Sequence, residues 1–242
     1  MSRLPAALSW LVVELSTLDA RHLRRHLATR EGAGAGELRR EGKRYLNFAS
    51  NDYLGLSVDP RLAEAAQAAM QQAGWGSGAS PLVVGYTAWQ ADLERELAAF
   101  EGTEAALVFG SGYAANVGTI CALVGRGDAV FSDELNHASI VDGCRLSRAD
   151  VHIYPHRDLS VLSAQLAASR EAQRRLIVSD TLFSMHGDLA PLVQLAELAQ
   201  RHGAMLMVDE AHATGVFGDR GCGLCEALGV EEGVHIRVGT LS

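Results

Sequence analysis

A single lysine, Lys43, and 21 basic residues against 29 acidic ones give the chain a formal net charge of -8 and a pI near 5.6. Nucleic-acid binding needs a clustered basic face, and this balance argues against it. Four cysteines in 242 residues do not make a disulfide framework. Cys222-Gly-Leu-Cys225 has metal or redox spacing but lacks the second pair of a zinc site, so no metal is expected. No apolar run is long enough to cross a bilayer. The apolar start, residues 1–15, is short, is broken by Glu14 and lacks an A-x-A-like cleavage site, so an amphipathic helix is expected there rather than a signal peptide. No G-x-x-x-x-G-K-[ST] loop is present, which removes the helicase-box reading of Asp209-Glu-Ala-His212. Repeats and low-complexity segments are also missing. These absences leave a cytoplasmic enzyme, with no nucleic-acid and no membrane partner, as the default.

The length suits one large domain or one and a half. Leu8, Leu11, Val12, Leu15 and Leu18, continued weakly by Leu23 and Leu27, predict an amphipathic helix to about Thr29, ended by Gly32, Gly34 and Gly36. Arg24 and Arg25 lie on that helix, either as a solvated face or as an anion contact. A strand over 44–50 and the turn Asn51-Asp-Tyr-Leu-Gly-Leu-Ser57 follow. Helices are expected at 60–73 and 87–101, and a buried strand at 105–109. From there helices and strands alternate: helix to 124, strand 129–132, helix 139–147, strand 151–154, helix 159–169, strand 176–179, helix 191–202 and a strand at 205. This is a doubly wound α/β pattern, a mostly parallel sheet with helices on both faces. It divides the chain into an N-terminal helix and arm, 1–58, and a large domain, 59–242.

The organising stretch is Ala204-Met-Leu-Met-Val-Asp-Glu-Ala-His212. Its apolar run reads as a strand buried on both faces, and Asp209 closes it at the sheet rim where ligands bind. A carboxylate there is costly to desolvate unless it meets a cation, such as a protonated heterocycle; His212 could donate to the same ligand. Gly110-Ser-Gly-Tyr-Ala-Ala-Asn116 joins a strand to a helix start, which makes it an anion site, a Rossmann-type turn for NAD with Asp133 on the ribose, or a tight turn only. His137, after the next strand, is placed to stack on a flat cofactor or move protons, or it only starts a helix. Ser184 leaves a strand toward the same rim.

Asn51-Asp-Tyr-Leu-Gly-Leu56, Gly76-Ser-Gly-Ala79, Ser111-Gly-Tyr-Ala-Ala-Asn116, Asn136-His-Ala-Ser139, Phe183-Ser-Met-His-Gly-Asp188 and Val208-Asp-Glu-Ala-His-Ala-Thr-Gly215 cover nearly the whole chain in order. Together they resemble the pyridoxal-phosphate-dependent α-oxoamine synthases, of the fold-type-I aminotransferase superfamily. Ser80-Pro-Leu-Val-Val-Gly-Tyr-Thr87 is most similar to members that condense alanine with a pimeloyl thioester. The resemblance implies pyridoxal 5'-phosphate (PLP) as cofactor, an amino acid and an acyl thioester as substrates, and a homodimer. It further implies Gly112, Tyr113 and Thr240 near the cofactor phosphate, His137 stacked on its ring, Asp209 on the pyridine nitrogen, and Ser184 and His212 near the phenolic oxygen. Asn51, His137 and one of Arg24 and Arg25 would meet substrate. His137, Asp209 and His212 are thus the catalytic candidates. The family's cofactor-bearing lysine would come three residues after Thr240, past Ser242, with a small C-terminal domain after it, so the expectation is the first part of a longer enzyme, inactive alone. Two other classes stay open: an NAD-dependent oxidoreductase built on the turn at 110, and a folding or assembly module without catalysis.

Overall fold

The computed structural model describes residues 5–31 and 36–241; Gly32, Gly34 and Ser242 lie outside the described residues. The chain divides into two compact units, Met1–Ser50 and Asn51–Ser242, so the loop 51–58 groups with the large domain rather than with the arm.

In the first unit, helix α1 spans Trp10–Ala20, nine residues short of the expected end. His22 turns left-handed with φ 55°, and Leu23 and Leu27 are exposed. Weak periodicity without a surface to bury does not propagate a helix. Arg24 and Arg25 therefore follow the helix, and Arg24 Nη1 pairs with Asp19 Oδ2 at 2.7 Å. Strands β1 (Glu37–Arg40) and β2 (Lys43–Leu46) form an antiparallel hairpin. Its two-residue turn has φ 52° at Glu41 and 73° at Gly42, the twist that a tight hairpin favours. The expected strand at 44–50 thus stops at Leu46, and β1 was not foreseen.

In the second unit, α2 (Pro60–Ala73) starts with proline at its first turn and with Asp59 accepting from Arg61 N. A single π turn, Pro81–Gly85, precedes α3 (Ala88–Glu101), which Thr87 and Gln90 close with a capping box. The segment 105–109 is not the buried strand that its apolar run suggests. It forms no ladder, Leu107 is 76% exposed, and a groove of about 700 Å³ lies between it and the sheet edge. A strand needs a neighbour within about 5 Å, and here the nearest edge is across that groove.

The remaining alternation is as expected: α4 (Gly112–Leu123), β3 (Ala129–Asp133), α5 (Ala138–Ser147), β4 (Asp150–Tyr154), α6 (Leu159–Ala168), β5 (Arg175–Asp180), α7 (Leu192–His202) and β6 (Met205–Asp209). A short helix α8 (Leu224–Ala227) and β7 (Ile236–Val238) complete it. The five strands run parallel in the order β4-β3-β5-β6-β7. Successive strand residues bury on opposite faces, as a sheet covered on both sides requires. Phe131, Ile177, Leu206 and Val208 pack with Leu162 and Leu166 of α6 and Leu192 and Leu195 of α7. Val130, Leu176, Val178 and Met207 pack with Ile120 of α4 and Ile140 of α5. Among the described residues no helix is long and apolar enough to cross a membrane.

Helices α4 and α5 meet closely at Gly143, where a Cβ would come within 2.9 Å of Ile120 Cδ1 and 3.3 Å of Val117 Cα. Gly143→Ala gains about 0.5–1 kcal/mol of helix propensity. Overpacking of about 1–3 kcal/mol should outweigh it. The expected outcome is a lower denaturant midpoint at unchanged slope; an unchanged midpoint would mean that the two helices have slack.

Candidate active site

Three adjacent parallel strands, β3, β5 and β6, each end on a buried aspartate: Asp133, Asp180 and Asp209. Asp180 and Asp209 lie side by side in register. Buried carboxylates must be bonded or neutralised, and each of the three is handled differently.

Asp133 is consumed by the protein. Its Oδ1 accepts from Leu135 N and lies 2.9 Å from His156 Nδ1, and its Oδ2 accepts from Arg157 N. His156 Nε2 is 2.7 Å from Asp188 Oδ2, so this imidazole clasps the loop 181–188 to the end of β3. Burial draws the His156 pKa down, but the bonds to Asp188 and Asp133 outweigh it and leave the group above its ordinary value. Bonded to His156, Asp188 is held below the usual carboxylate range.

Asp180 accepts the backbone N–H of His137 at 2.7 Å. Burial and the charge on Asp209 push its pKa up to about 7. Asp209 is 8% exposed; its Oδ2 accepts from Asn116 Nδ2 at 2.7 Å and its Oδ1 from Ala211 N at 2.8 Å. Among the described residues, no lysine or arginine pairs with Asp209 or Asp180. The rim between them is thus acidic and lacks a cation of its own.

The other candidate residues each have a distinct local setting. His137 caps α5 and is exposed, with its ring nitrogen Nδ1 against Ser139. Gly112 opens α4, and a Cβ there would meet Thr240 Cγ2 at 2.8 Å, so Thr240 lies close against the helix start. Tyr113 follows and donates to Asp142 at 3.0 Å. His212 Nδ1 is 2.8 Å from Tyr53 OH, and Tyr53 lies 3.5 Å from Asn51 Oδ1, which joins the turn at 51 to this side of the site. Ser184 is exposed on the loop that His156 clasps. Arg24 and Arg25 belong to the first unit and are exposed.

Several structural players carried no role in the sequence reading. Asn116, Ser139 and Tyr53 sit inside the motifs that drew attention, but each was overshadowed by a better-known neighbour. Glu210 was also passed over: fully buried, it accepts from Leu224 N, Cys225 N and Thr181 Oγ1, and so ties the 222–225 turn beneath the rim. That turn uses Cys222 and Cys225 as buried thiols, and no group of three metal-ligating side chains occurs among the described residues.

The family model for aminotransferase class I and II matches residues 43–242, and the chain belongs to this family. Within it, similarity concentrates on α-oxoamine synthases. The 8-amino-7-oxononanoate synthase of Anaeromyxobacter sp. (strain K) is 55% identical over 235 residues, 97% of this chain and 59% of that protein. The enzyme of the same name from Azoarcus sp. (strain BH72) is 53% identical, over 98% of this chain and 60% of that one. Serine palmitoyltransferase of Sphingomonas wittichii superposes with a TM-score of 0.88 at 34% identity, covering 99% of this chain and 60% of that one. A structure of SPT with PLP gives a TM-score of 0.88 at 33% identity, covering 99% of this chain and 61% of that one. The fold is that of the fold-type-I large domain, and the chain spans about three-fifths of the length of these relatives.

The pKa of Asp180 generates a prediction. A carboxylate whose folded-state pKa lies above its unfolded value adds stability at low pH, which is lost as pH rises from the unfolded toward the folded pKa. Asp180→Asn keeps an acceptor for His137 N–H and removes the charge. Without added cofactor, the variant should gain stability relative to wild type as pH rises from about 4 to about 7. A difference independent of pH, measured by denaturant unfolding, would show that Asp180 titrates as an ordinary carboxylate.

Proposed function

We propose that the protein containing this chain is a PLP-dependent acyltransferase that condenses L-alanine with a pimeloyl thioester, carried by coenzyme A or a carrier protein. The products are 8-amino-7-oxononanoate, carbon dioxide and the free thiol carrier. The observation that carries the reading is Asp209: a buried carboxylate on an acidic rim, bonded only to neutral donors. Such a group fits the protonated ring nitrogen of a pyridine, which supplies the missing cation. The choice of substrates rests on the identity to 8-amino-7-oxononanoate synthases.

The other residues fit the same group. Gly112 and Tyr113 would offer the backbone N–H groups of a helix start to the phosphate, with Thr240 beside them. His137 would cover the ring face, and Ser184 and His212 would bond its phenolic oxygen. Bound PLP supplies an electron sink for the carbanion left by loss of a proton at the substrate α-carbon. Asp209 keeps the ring nitrogen protonated, His137 is placed to take part in moving the α-proton, and Asn51 with Arg24 or Arg25 would orient substrate. A homodimer is part of the proposal.

The structure of the rim weighs against the rival oxidoreductase. A dinucleotide reading needs Asp133 for a ribose hydroxyl, and both oxygens of Asp133 already serve His156, Leu135 and Arg157.

In the full-length protein, Asp209→Asn should leave the far-ultraviolet circular dichroism unchanged and lower turnover of alanine and the pimeloyl thioester by on the order of a hundredfold. Near-normal turnover would overturn the assignment of Asp209 and with it the proposed chemistry.

A further inference from the structure

A chain of hydrogen bonds joins Asp209 to His137 through two side chains buried from solvent. Asn116 Nδ2 lies 2.7 Å from Asp209 Oδ2 and 2.9 Å from Ser139 Oγ, and Ser139 Oγ lies 2.7 Å from His137 Nδ1. Asn116 is 1% exposed and Ser139 fully buried. The directions of these bonds follow from chemistry. A carboxylate only accepts, so the amide nitrogen of Asn116, not its oxygen, must face Asp209. That nitrogen has a second hydrogen, and it is spent on Ser139 Oγ. The Ser139 hydroxyl then has its own proton to give, and the acceptor within reach is His137 Nδ1. Ser139 N–H also points at Nδ1, at 3.3 Å. With donors converging on it, Nδ1 carries no proton in the neutral ring, and the ring proton belongs on Nε2.

We infer that Asn116 and Ser139 are positioning residues: together they orient the Asp209 carboxylate and hold His137 in its Nε2–H tautomer, coupling the two sides of the site through one directional network. Stability does not account for this arrangement. Among the described residues Asn116 Oδ1 is buried without a hydrogen-bond partner, and a buried amide with an orphaned oxygen destabilises the fold relative to an apolar side chain of similar size. A site retains such a group where geometry is worth more than stability. The neighbouring carboxylate completes the hold on His137, since Asp180 fixes its backbone N–H while Ser139 fixes its ring. The inference rests on the proposed function only for its effect on turnover, since the tautomer is a property of the protein alone.

The test is nitrogen-15 spectroscopy of histidine-labelled full-length protein without cofactor, with the His137 signals assigned by their loss in His137→Asn. Wild type should show neutral His137 as the Nε2–H tautomer, and Ser139→Ala should show a mixture that Ser139→Thr restores. In parallel, Ser139→Ala should lower kcat about tenfold, the equivalent of one hydrogen bond, with KM for the amino acid nearly unchanged. Asn116→Ala should weaken PLP binding by a similar factor in an absorbance titration. A wild-type ring protonated on Nδ1, or a tautomer unmoved in Ser139→Ala, would overturn the inference, and the wild-type measurement decides even if a variant fails to fold. A protein with the expected tautomer that bound no PLP would overturn the proposed function and leave this network standing.

Discussion

A negative charge buried at the end of a parallel strand is the constraint on which the rest of the large domain depends. Taking a carboxylate out of water costs several kcal/mol unless donors replace the lost hydration. Asp209 recovers part of that from Ala211 N, which the turn after β6 supplies, and part from Asn116, which comes from another element altogether. Asn116 lies on α4, which packs tightly on α5 where Gly143 has no side chain and where Ser139 takes the other amide hydrogen of Asn116. One missing methyl group in the helix interface is therefore connected, through Asn116 and Ser139, to the orientation of two groups at the rim. Packing and chemistry are not separable here.

The loops that ring the site are held by the same device applied with different partners. His156 bridges Asp133 and Asp188 and fastens the loop that carries Ser184. Asn136 accepts from Asp180 N and donates to Val178 O, which fixes the approach to His137 from β5. Glu210 performs the equivalent service on the far side, holding the 222–225 turn through two backbone amides. Buried polar groups of this kind contribute about 1 kcal/mol each when satisfied, and considerably more is lost when one partner is removed. Their value lies in allowing one arrangement of the rim and few others.

The alternation from α4 to β6 was legible because β3, β5 and β6 are buried along nearly their whole length, and α5 and α7 carry apolar stripes that face them. Asp209 stood out for a related reason: a polar residue at the end of such a run has to face a ligand or a partner. Legibility failed where the deciding neighbour is distant in sequence. Leu23 and Leu27 continue the spacing of α1, but nothing in the local sequence tells that they remain exposed. Residues 105–109 read as a strand because they are apolar, while pairing depends on an edge supplied more than a hundred residues later. Asn116 and Ser139 were visible inside their motifs, yet their role is a matter of direction. The facing atom 93 positions away decides it.

The same distinction explains why the reaction class is easier to read than the substrates. In the proposed reaction Asp209 and His137 would meet a ring and a proton next to it, positioned by Asn116 and Ser139, and neither ring nor proton differs between alanine, glycine and serine. Similarity to a serine palmitoyltransferase at a TM-score of 0.88 is therefore compatible with greater identity to 8-amino-7-oxononanoate synthases. Discrimination must come from groups that meet the side chain and the acyl tail, outside the polar network. The π turn Pro81–Gly85 offers residues of that kind, since Leu82, Val83 and Val84 are all strongly exposed and apolar. Gly85 sets the turn's shape: a Cβ there would fall 1.9 Å from the backbone oxygen of Ala79, so no other residue fits without rebuilding the loop. A rigid network for the shared chemistry and a separately shaped loop for the variable part allow one fold to keep a mechanism while changing what it acts on.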